Sequence, residues 1–169
     1  GSVGPGSPHH FAGELFNREA GVALVHVPYK GGGPAYAAFL QGEIQMMFDS
    51  MPGPQAHLQS GSVRAIGVTG LQRLAMMPEV PTLAEQGIPG IDIHFMFGMV
   101  APAGTPKDII ARLNAEITQA LTDAEVRATL ARQAVQPSPG TPEAFGALVA
   151  SELSRWRGIV QKTGFKSNQ

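Results

Sequence analysis

Three short apolar runs alternate with helix-start signals in the first 70 residues, and this alternation limits the possible folds more than any other feature. The runs cover 23–27, 44–48 and 63–69, and they are rich in residues that favour strands. Strands that alternate with helices at this spacing indicate βαβ units with right-handed crossovers. We therefore predict an α/β fold with a parallel sheet whose strands end along one edge. The predicted strand ends are Tyr29, Asp49 and Thr69.

A glycine-rich loop, Gly31 to Gly33, joins the first run to the helix that Pro34 opens. Glycine lets a backbone approach a ligand closely, and the start of a helix carries partial positive charge with unpaired N–H groups. The loop therefore suits a small anion. The chain has neither GxGxxG nor GxxxxGK[ST], so nucleotide phosphate has little support. An ordinary tight turn between strand and helix explains the same loop equally well.

Two further helix starts are expected at the same edge of the sheet. Ser7 precedes Pro8 in a typical N-cap arrangement, and Ser50 follows the second apolar run. The carboxyl ends of parallel strands lie together, so these helix starts should converge with the glycine loop on one anion. Asp49 has two interpretations that the sequence leaves open. It is a carboxylate of the site or the N-cap of the next helix, and the two roles can coexist.

Composition excludes several classes of protein. The chain has 169 residues, a net charge of −1 and no cysteine, which argues against nucleic-acid binding and rules out disulfides and thiol chemistry. The five histidines lack metal-ligand spacing, and no serine occupies a GxSxG elbow. We expect no metal, no cofactor and no enzymatic activity. An enzyme that uses Asp49 and His10 is less favoured than either of the two binding functions that are described below.

The last third of the chain is predicted to be helical. Thr105-Pro106 and Thr141-Pro142 each open a segment with a helical apolar stripe, and the second stripe runs from Phe145 to Val160. A contiguous stripe of this size needs a cover. We expect it to pack on the rest of this chain or on a second copy, which would make a homodimer through the C-terminal helices.

Five motifs along the chain resemble one known family when they are taken together. They occupy residues 26–31, 47–50, 64–69, 78–82 and 97–106. Each is unspecific alone, but their order and spacing resemble the solute-binding receptors of tripartite tricarboxylate transporters, the Bug-type periplasmic binding proteins. The resemblance covers nearly the whole chain.

The resemblance implies a two-lobed receptor of the type II periplasmic-binding-protein kind. Residues 1–100 would be the second, ligand-binding lobe, with a parallel-rich sheet flanked by helices. Residues 101–169 would be a C-terminal helical segment that normally returns toward the first lobe. That first lobe and the signal peptide are expected upstream of residue 1, so the chain is interpreted as a fragment.

The function implied is extracytoplasmic, in the periplasm: recognition of a small carboxylate for uptake, without transforming it. The ligand would be a dicarboxylate, a tricarboxylate, an amino acid or an aromatic acid, and the partners would be membrane transporter subunits. The alternative is the ligand-sensing effector domain of a transcriptional regulator. By resemblance, the ligand-binding residues are expected to be Ser7, His10, Tyr29, Gly31, Gly32, Phe48, Asp49, Ser50 and Phe97.

Overall fold

A computed structural model describes residues 1–51 and 53–165. Within these ranges the regular structure is helical. The described chain divides into two compact units: unit 1 holds residues 1–95 and 159–165, and unit 2 holds Met96–Gly158. The helices are α1 (Pro8–Ala20), α2 (Gly32–Leu40), α3 (Gln55–Gln59), α4 (Lys107–Ala120), α5 (Ala124–Arg132) and α6 (Pro142–Thr163). Among the described residues, no helix is long and apolar enough to cross a membrane.

Helix α1 begins where the sequence predicts and ends at a glycine. The Ser7 side chain accepts a hydrogen bond from the N–H of His10, Pro8 occupies the first turn, and Gly21 ends the helix in the left-handed conformation with φ 66°. Phe11, Ala12 and Leu15 are buried at helical spacing. This helix therefore contributes an apolar face to the core of unit 1.

Helix α2 follows the glycine loop directly. Gly31 precedes it with φ 103° and ψ 178°, a combination that is almost restricted to glycine. The helix buries Ala35 and Ala38, whose small side chains allow close packing. The predicted helix after the loop is therefore confirmed, and it begins two residues before Pro34.

The predicted parallel ladder is not formed within the described ranges, which corrects the expectation for the runs at 23–27, 44–48 and 63–69. Two isolated parallel bridges take its place, Ser2 with Pro28 and Val68 with Thr82. In the described residues, the three apolar runs are therefore not joined by the hydrogen bonds of a sheet.

Side chains explain part of that failure, because they bind backbone groups that a neighbouring strand would otherwise bind. The Asn17 amide donates to the carbonyl of Leu24 at 3.1 Å and accepts from its N–H at 2.8 Å. The Gln86 amide likewise donates to the carbonyl of Ile66 at 3.0 Å. Val25 is 85% exposed, so the first run buries little on a partner.

The core of unit 1 gathers apolar side chains from both ends of its sequence. Besides the faces of α1 and α2, it includes an isoleucine near the end of the chain. Its remaining buried apolar residues are Ile44, Val80, Leu83, Ile91, Ile93 and Ile159.

Unit 2 is helical and more open. The Phe145 ring lies against Gly98, where there is no room for a Cβ, and the Asn114 amide donates to the carbonyl of Gly140 at 2.8 Å. None of the residues 96–158 reaches the burial of the unit 1 core. The predicted apolar faces exist, but Leu113 and Leu153 remain 44% and 57% exposed.

Candidate functional site

The Asp49 carboxylate connects three of the segments that were predicted to meet. Its Oδ1 lies 3.1 Å from the Nε2 of His9 and accepts the Ser50 N–H at 2.7 Å. Its Oδ2 accepts the hydroxyl of Tyr36 at 2.7 Å. His9 belongs to the first turn of α1, and Tyr36 belongs to α2. Asp49, His9 and Tyr36, named here the Asp49 cluster, therefore hold these two helices beside the turn at Ser50.

The cluster keeps Asp49 charged. Burial by itself works to raise the pKa of the Asp49 carboxyl, but the hydrogen bonds from His9, Tyr36 and the Ser50 N–H outweigh it and lower the pKa below its ordinary value. Burial, followed by the bond to the Asp49 carboxylate, raises the pKa of the Tyr36 hydroxyl far above its ordinary value. The phenol is consequently a hydrogen-bond donor at every physiological pH.

Asp49 does not cap the next helix. The residue before α3 is Pro54, and α3 has no side-chain cap. Of the two interpretations that the sequence left open, the N-cap is therefore wrong. A Cβ added at Gly53 would come within 2.7 Å of Oδ2, so glycine at that position leaves room for the carboxylate.

Two aromatic contacts support the cluster. The Phe95 ring lies 5.1 Å from the His9 ring, and the His57 ring stacks on Tyr36 at 4.9 Å. The His9 side chain is only 10% exposed, and its Nδ1 is buried without a hydrogen-bond partner in the described structure. Buried polar atoms are usually paired, so this nitrogen needs an explanation.

Ser7 and His10 are engaged in the structure around the start of α1. The Ser7 hydroxyl donates to the carbonyl of Gly4 at 2.7 Å, and the Nδ1 of His10 accepts the N–H of Gly6 at 3.1 Å. The His10 ring stacks on His26 with centroids 3.8 Å apart. Burial and then the charge of His10 lower the pKa of His26. In the described structure Asp49 binds His9, Tyr36 and the Ser50 N–H, and His10 is not among these partners.

The glycine loop is anchored on one side and open on the other. The Tyr29 and Gly31 N–H groups donate to the carbonyls of Ser2 and Val3 at 3.0 and 3.2 Å. A Cβ added at Gly31, Gly32 or Gly33 would meet nothing within 4 Å. Packing therefore does not require glycine at Gly32 and Gly33, and a ligand can approach the first turn of α2 closely.

Two of the predicted aromatic site residues lie elsewhere. Phe48 is half-buried against Phe16, with ring centroids 5.8 Å apart, so it packs on α1. Phe97 belongs to unit 2 and is 73% exposed. Their roles in ligand binding stay predictions.

Sequence reasoning missed His9 and Tyr36. His9 is next to His10, which was predicted to bind the ligand, and Tyr36 is two residues after Pro34, the predicted helix start. Neither His9 nor Tyr36 lies in a recognisable motif. His9 and Asp49 are 40 residues apart, and Tyr36 and Asp49 are 13 apart. The available signal was chemical type near the N-terminus of a predicted helix, which many residues share. Across the ranges that are described, no group of three or more His, Cys, Asp or Glu could hold a metal ion.

Comparison with known families decides the class of protein. A family model described as "Tripartite tricarboxylate transporter family receptor" matches residues 1–165. The chain belongs to this family. The resemblance to Bug-type receptors that the motifs indicated is confirmed, since a similar protein is BugT of Bordetella pertussis, 37% identical over 95% of this chain and 49% of its own length.

Two other relatives differ in length. A UPF0065 protein from the tcbD-tcbE intergenic region of a Pseudomonas strain is 38% identical over 99% of this chain and 50% of its own length. Another UPF0065 protein, from the clcB-clcD intergenic region of Pseudomonas knackmussii, is 37% identical, and 99% of each chain is covered. The chain thus spans about half of two of these relatives and nearly all of the third.

Solved structures of this kind resemble the chain closely. An R. palustris protein with adipate has a TM-score of 0.87 and 31% identity, over 94% of this chain and 53% of its own. A periplasmic transporter has a TM-score of 0.88 and 34% identity, over 98% and 55%. MatC from Rhodopseudomonas palustris with bound malate has a TM-score of 0.76 and 33% identity, over 92% and 54%. The family is one of transporter receptors, and one of these neighbours is described as a periplasmic transporter, which supports an α/β receptor lobe and an extracytoplasmic location.

Proposed function

We propose that this chain recognises a small carboxylate as part of an extracytoplasmic receptor for a tripartite tricarboxylate-type uptake system. The observation that carries the proposal is the Asp49 cluster, which fixes the first turn of α1 and the Tyr36 position of α2 next to one turn. The N-terminus of a helix carries partial positive charge, which favours a negatively charged group nearby. Recognition without chemical change needs only such oriented groups.

The open first turn of α2 supplies the donors. Gly32 and Gly33 are its first residues, and the first N–H groups of any helix have no carbonyl to bind within that helix. A Cβ added at either glycine would meet no atom within 4 Å outside the neighbouring backbone, so packing leaves room for a carboxylate beside this turn. We propose Gly32 as a direct contact and Ser7, Gly31 and Ser50 as residues that shape the backbone around it.

The ligand class follows from the size of the donor set. A few backbone donors suit one carboxylate group, and adipate and malate, which are bound by two similar proteins, are both small dicarboxylates. We propose a dicarboxylate or a related acid as the ligand. For unit 1 with an open site we expect Kd values near millimolar, about 4 kcal/mol of binding free energy.

The remaining parts of this proposal concern location and assembly. We propose a periplasmic location and an association with membrane transporter subunits, on the support of the family match. The homodimer through the C-terminal helices stays a prediction, which sedimentation analysis tests. The transcriptional-regulator alternative has no support, since the matching family is one of transporter receptors.

The proposal is tested by ligand-observed NMR with succinate, using the neutral butane-1,4-diol as the matched non-binding compound. Gly32→Asp adds negative charge where we place the carboxylate, and Gly146→Asp makes the same change in α6. Both glycines are helical, and a Cβ at either one meets nothing within 4 Å.

We expect succinate to bind, the diol to show no binding, and Gly32→Asp to weaken succinate binding at least tenfold while Gly146→Asp leaves it unchanged. Equal weakening by both variants would place the ligand elsewhere. Absence of succinate and malate binding at tens of millimolar, on the order of ten times the expected Kd, would remove the proposed function.

A further inference from the structure

The hydrogen bonds of Asp49 are directed to the protein. One carboxylate oxygen accepts from His9 and from the Ser50 N–H, and the other accepts from Tyr36. The carboxylate is 13% exposed and lies against Gly53. Asp49 therefore acts on a ligand through the side chains that it orients, as a positioning residue.

The clearest consequence of this orientation falls on His9. An ionised carboxylate is an acceptor only, so the imidazole nitrogen that faces it, Nε2, carries the proton. In the neutral ring the other nitrogen, Nδ1, is then an acceptor with a free lone pair. That is the atom that is buried without a partner in the described structure. Asp49 thus fixes both the tautomer and the direction of an unused acceptor.

The Nδ1 acceptor of His9 lies close to a position that favours a negatively charged group. His9 lies in the first turn of α1, a helix of 13 residues whose N-terminus favours an anion. The Phe95 ring packs on His9, and Phe95 is itself 37% exposed. Rotation of a half-exposed side chain is fast, and rotation of Phe95 is the motion that we expect to admit a ligand group to Nδ1.

We propose that His9 is a specificity-determining residue whose Nδ1 accepts a hydrogen bond from a hydroxyl or ammonium group next to the ligand's carboxylate. This inference rests on the proposed function and narrows its ligand class to 2-hydroxy and 2-amino acids. An unsubstituted dicarboxylate leaves the buried nitrogen unpaired, and a site built to pair a polar group discriminates against ligands that lack it.

The test compares malate with succinate, which differ by one hydroxyl group. At about pH 8, where imidazole is ordinarily neutral, we expect malate to bind about fivefold to tenfold more tightly than succinate, the range that one net hydrogen bond gives. In His9→Gln this preference should fall to less than twofold. His94→Gln, an exposed histidine in the same unit, serves as the matched control and should keep the preference.

A second measurement does not depend on a folded variant. Nitrogen-15 NMR of the histidine rings in the unmutated chain reports the proton on each ring nitrogen. We expect a protonated Nε2 at His9 and a shift of the His9 Nδ1 signal on addition of malate that succinate does not produce. A purely structural role for His9 would leave this signal unchanged by either ligand.

The outcomes separate the inference from the proposed function. If succinate and malate bind equally and the His9 signal does not move, the inference is wrong and the carboxylate receptor stands. If neither binds, the proposed function fails first. A proton on Nδ1 in place of Nε2 would also overturn the inference, because that nitrogen could not then accept.

Discussion

Units 1 and 2 contain helices of similar length but use them differently. In unit 1, α1 and α2 bury alanine, leucine and phenylalanine side chains, and Asp49 connects His9 in the first turn of α1 with Tyr36 in the second turn of α2. In unit 2, α4 and α5 bury no residue to the same degree; the Asp123 side chain caps the start of α5, and α4 has no side-chain cap. Packing and buried hydrogen bonds are thus concentrated where we place the ligand.

The difference in packing between the two units indicates which of them can hold a ligand on backbone donors. Backbone donors hold a ligand well only if their helices do not shift, because small displacements cost much of the interaction. Unit 1 fixes its helices by burial and by a charged hydrogen-bond cluster. The solvated faces of unit 2 lack this constraint, so we expect the units to respond unequally to equivalent mutations.

Truncation of a leucine to alanine should give the largest difference between the two units in the free energy of unfolding. Leu15→Ala removes a side chain that is 3% exposed in α1, and Leu113→Ala removes one that is 44% exposed in α4. We expect the first to lower the free energy of unfolding by about 2–5 kcal/mol through the lost burial and the cavity, and the second by less than about 1 kcal/mol. Urea denaturation measures both. Equal losses would contradict the comparison.

Removal of one carboxylate from each unit should produce the next largest difference in the free energy of unfolding. Asp49→Ala removes hydrogen bonds from His9, Tyr36 and Ser50 and leaves their donors buried, which we expect to cost about 2–3 kcal/mol of unfolding free energy. Asp123→Ala removes the N-cap of α5, at about 1 kcal/mol. Thermal and urea unfolding of the two variants checks the order. A larger loss for Asp123→Ala would show that the cluster stabilises little.

A smaller effect should appear in acid. The folded-state pKa of Asp49 lies below its ordinary value, so its stabilisation is present above about pH 4, near the unfolded pKa, and is lost as pH falls through the folded value. Asp49→Asn lacks this titration. The stability difference between the unmutated chain and Asp49→Asn should therefore shrink between pH 6 and pH 3, as followed by urea denaturation. A constant difference would mean that Asp49 is not charged in the cluster.

Helices α1 and α2 of unit 1 were predictable because their signals are local, whereas α3 begins at Gln55 and not at the start that was predicted beside Ser50. Ser7, Pro8 and Gly21 specify the ends of α1, and the glycine loop specifies the start of α2, without reference to distant residues. The sheet was not predictable in the same way. The pairing of an apolar run depends on which groups reach its backbone, and at Leu24 the side chain of Asn17 does so.

The same distinction between local signals and tertiary contacts applies to the candidate site. Asp49 was recognisable from its position after an apolar run, while its partners were not, because His9 and Tyr36 reach it through tertiary packing. His10 was the more conspicuous choice beside it, but one residue along a helix turns a side chain by about 100°. The helical geometry therefore decides which of the two adjacent histidines meets Asp49.

The most direct test of the account is a residue-resolved amide NMR titration of the unmutated chain with malate. The account predicts dose-dependent shifts at His9, Gly32 and Gly33 and at Ser50, with Kd near millimolar and smaller changes across α4 and α5. Shifts confined to α4 and α5, or none in the first turns of α1 and α2 at saturating malate, would contradict the central claim that unit 1 holds the carboxylate at these helix starts.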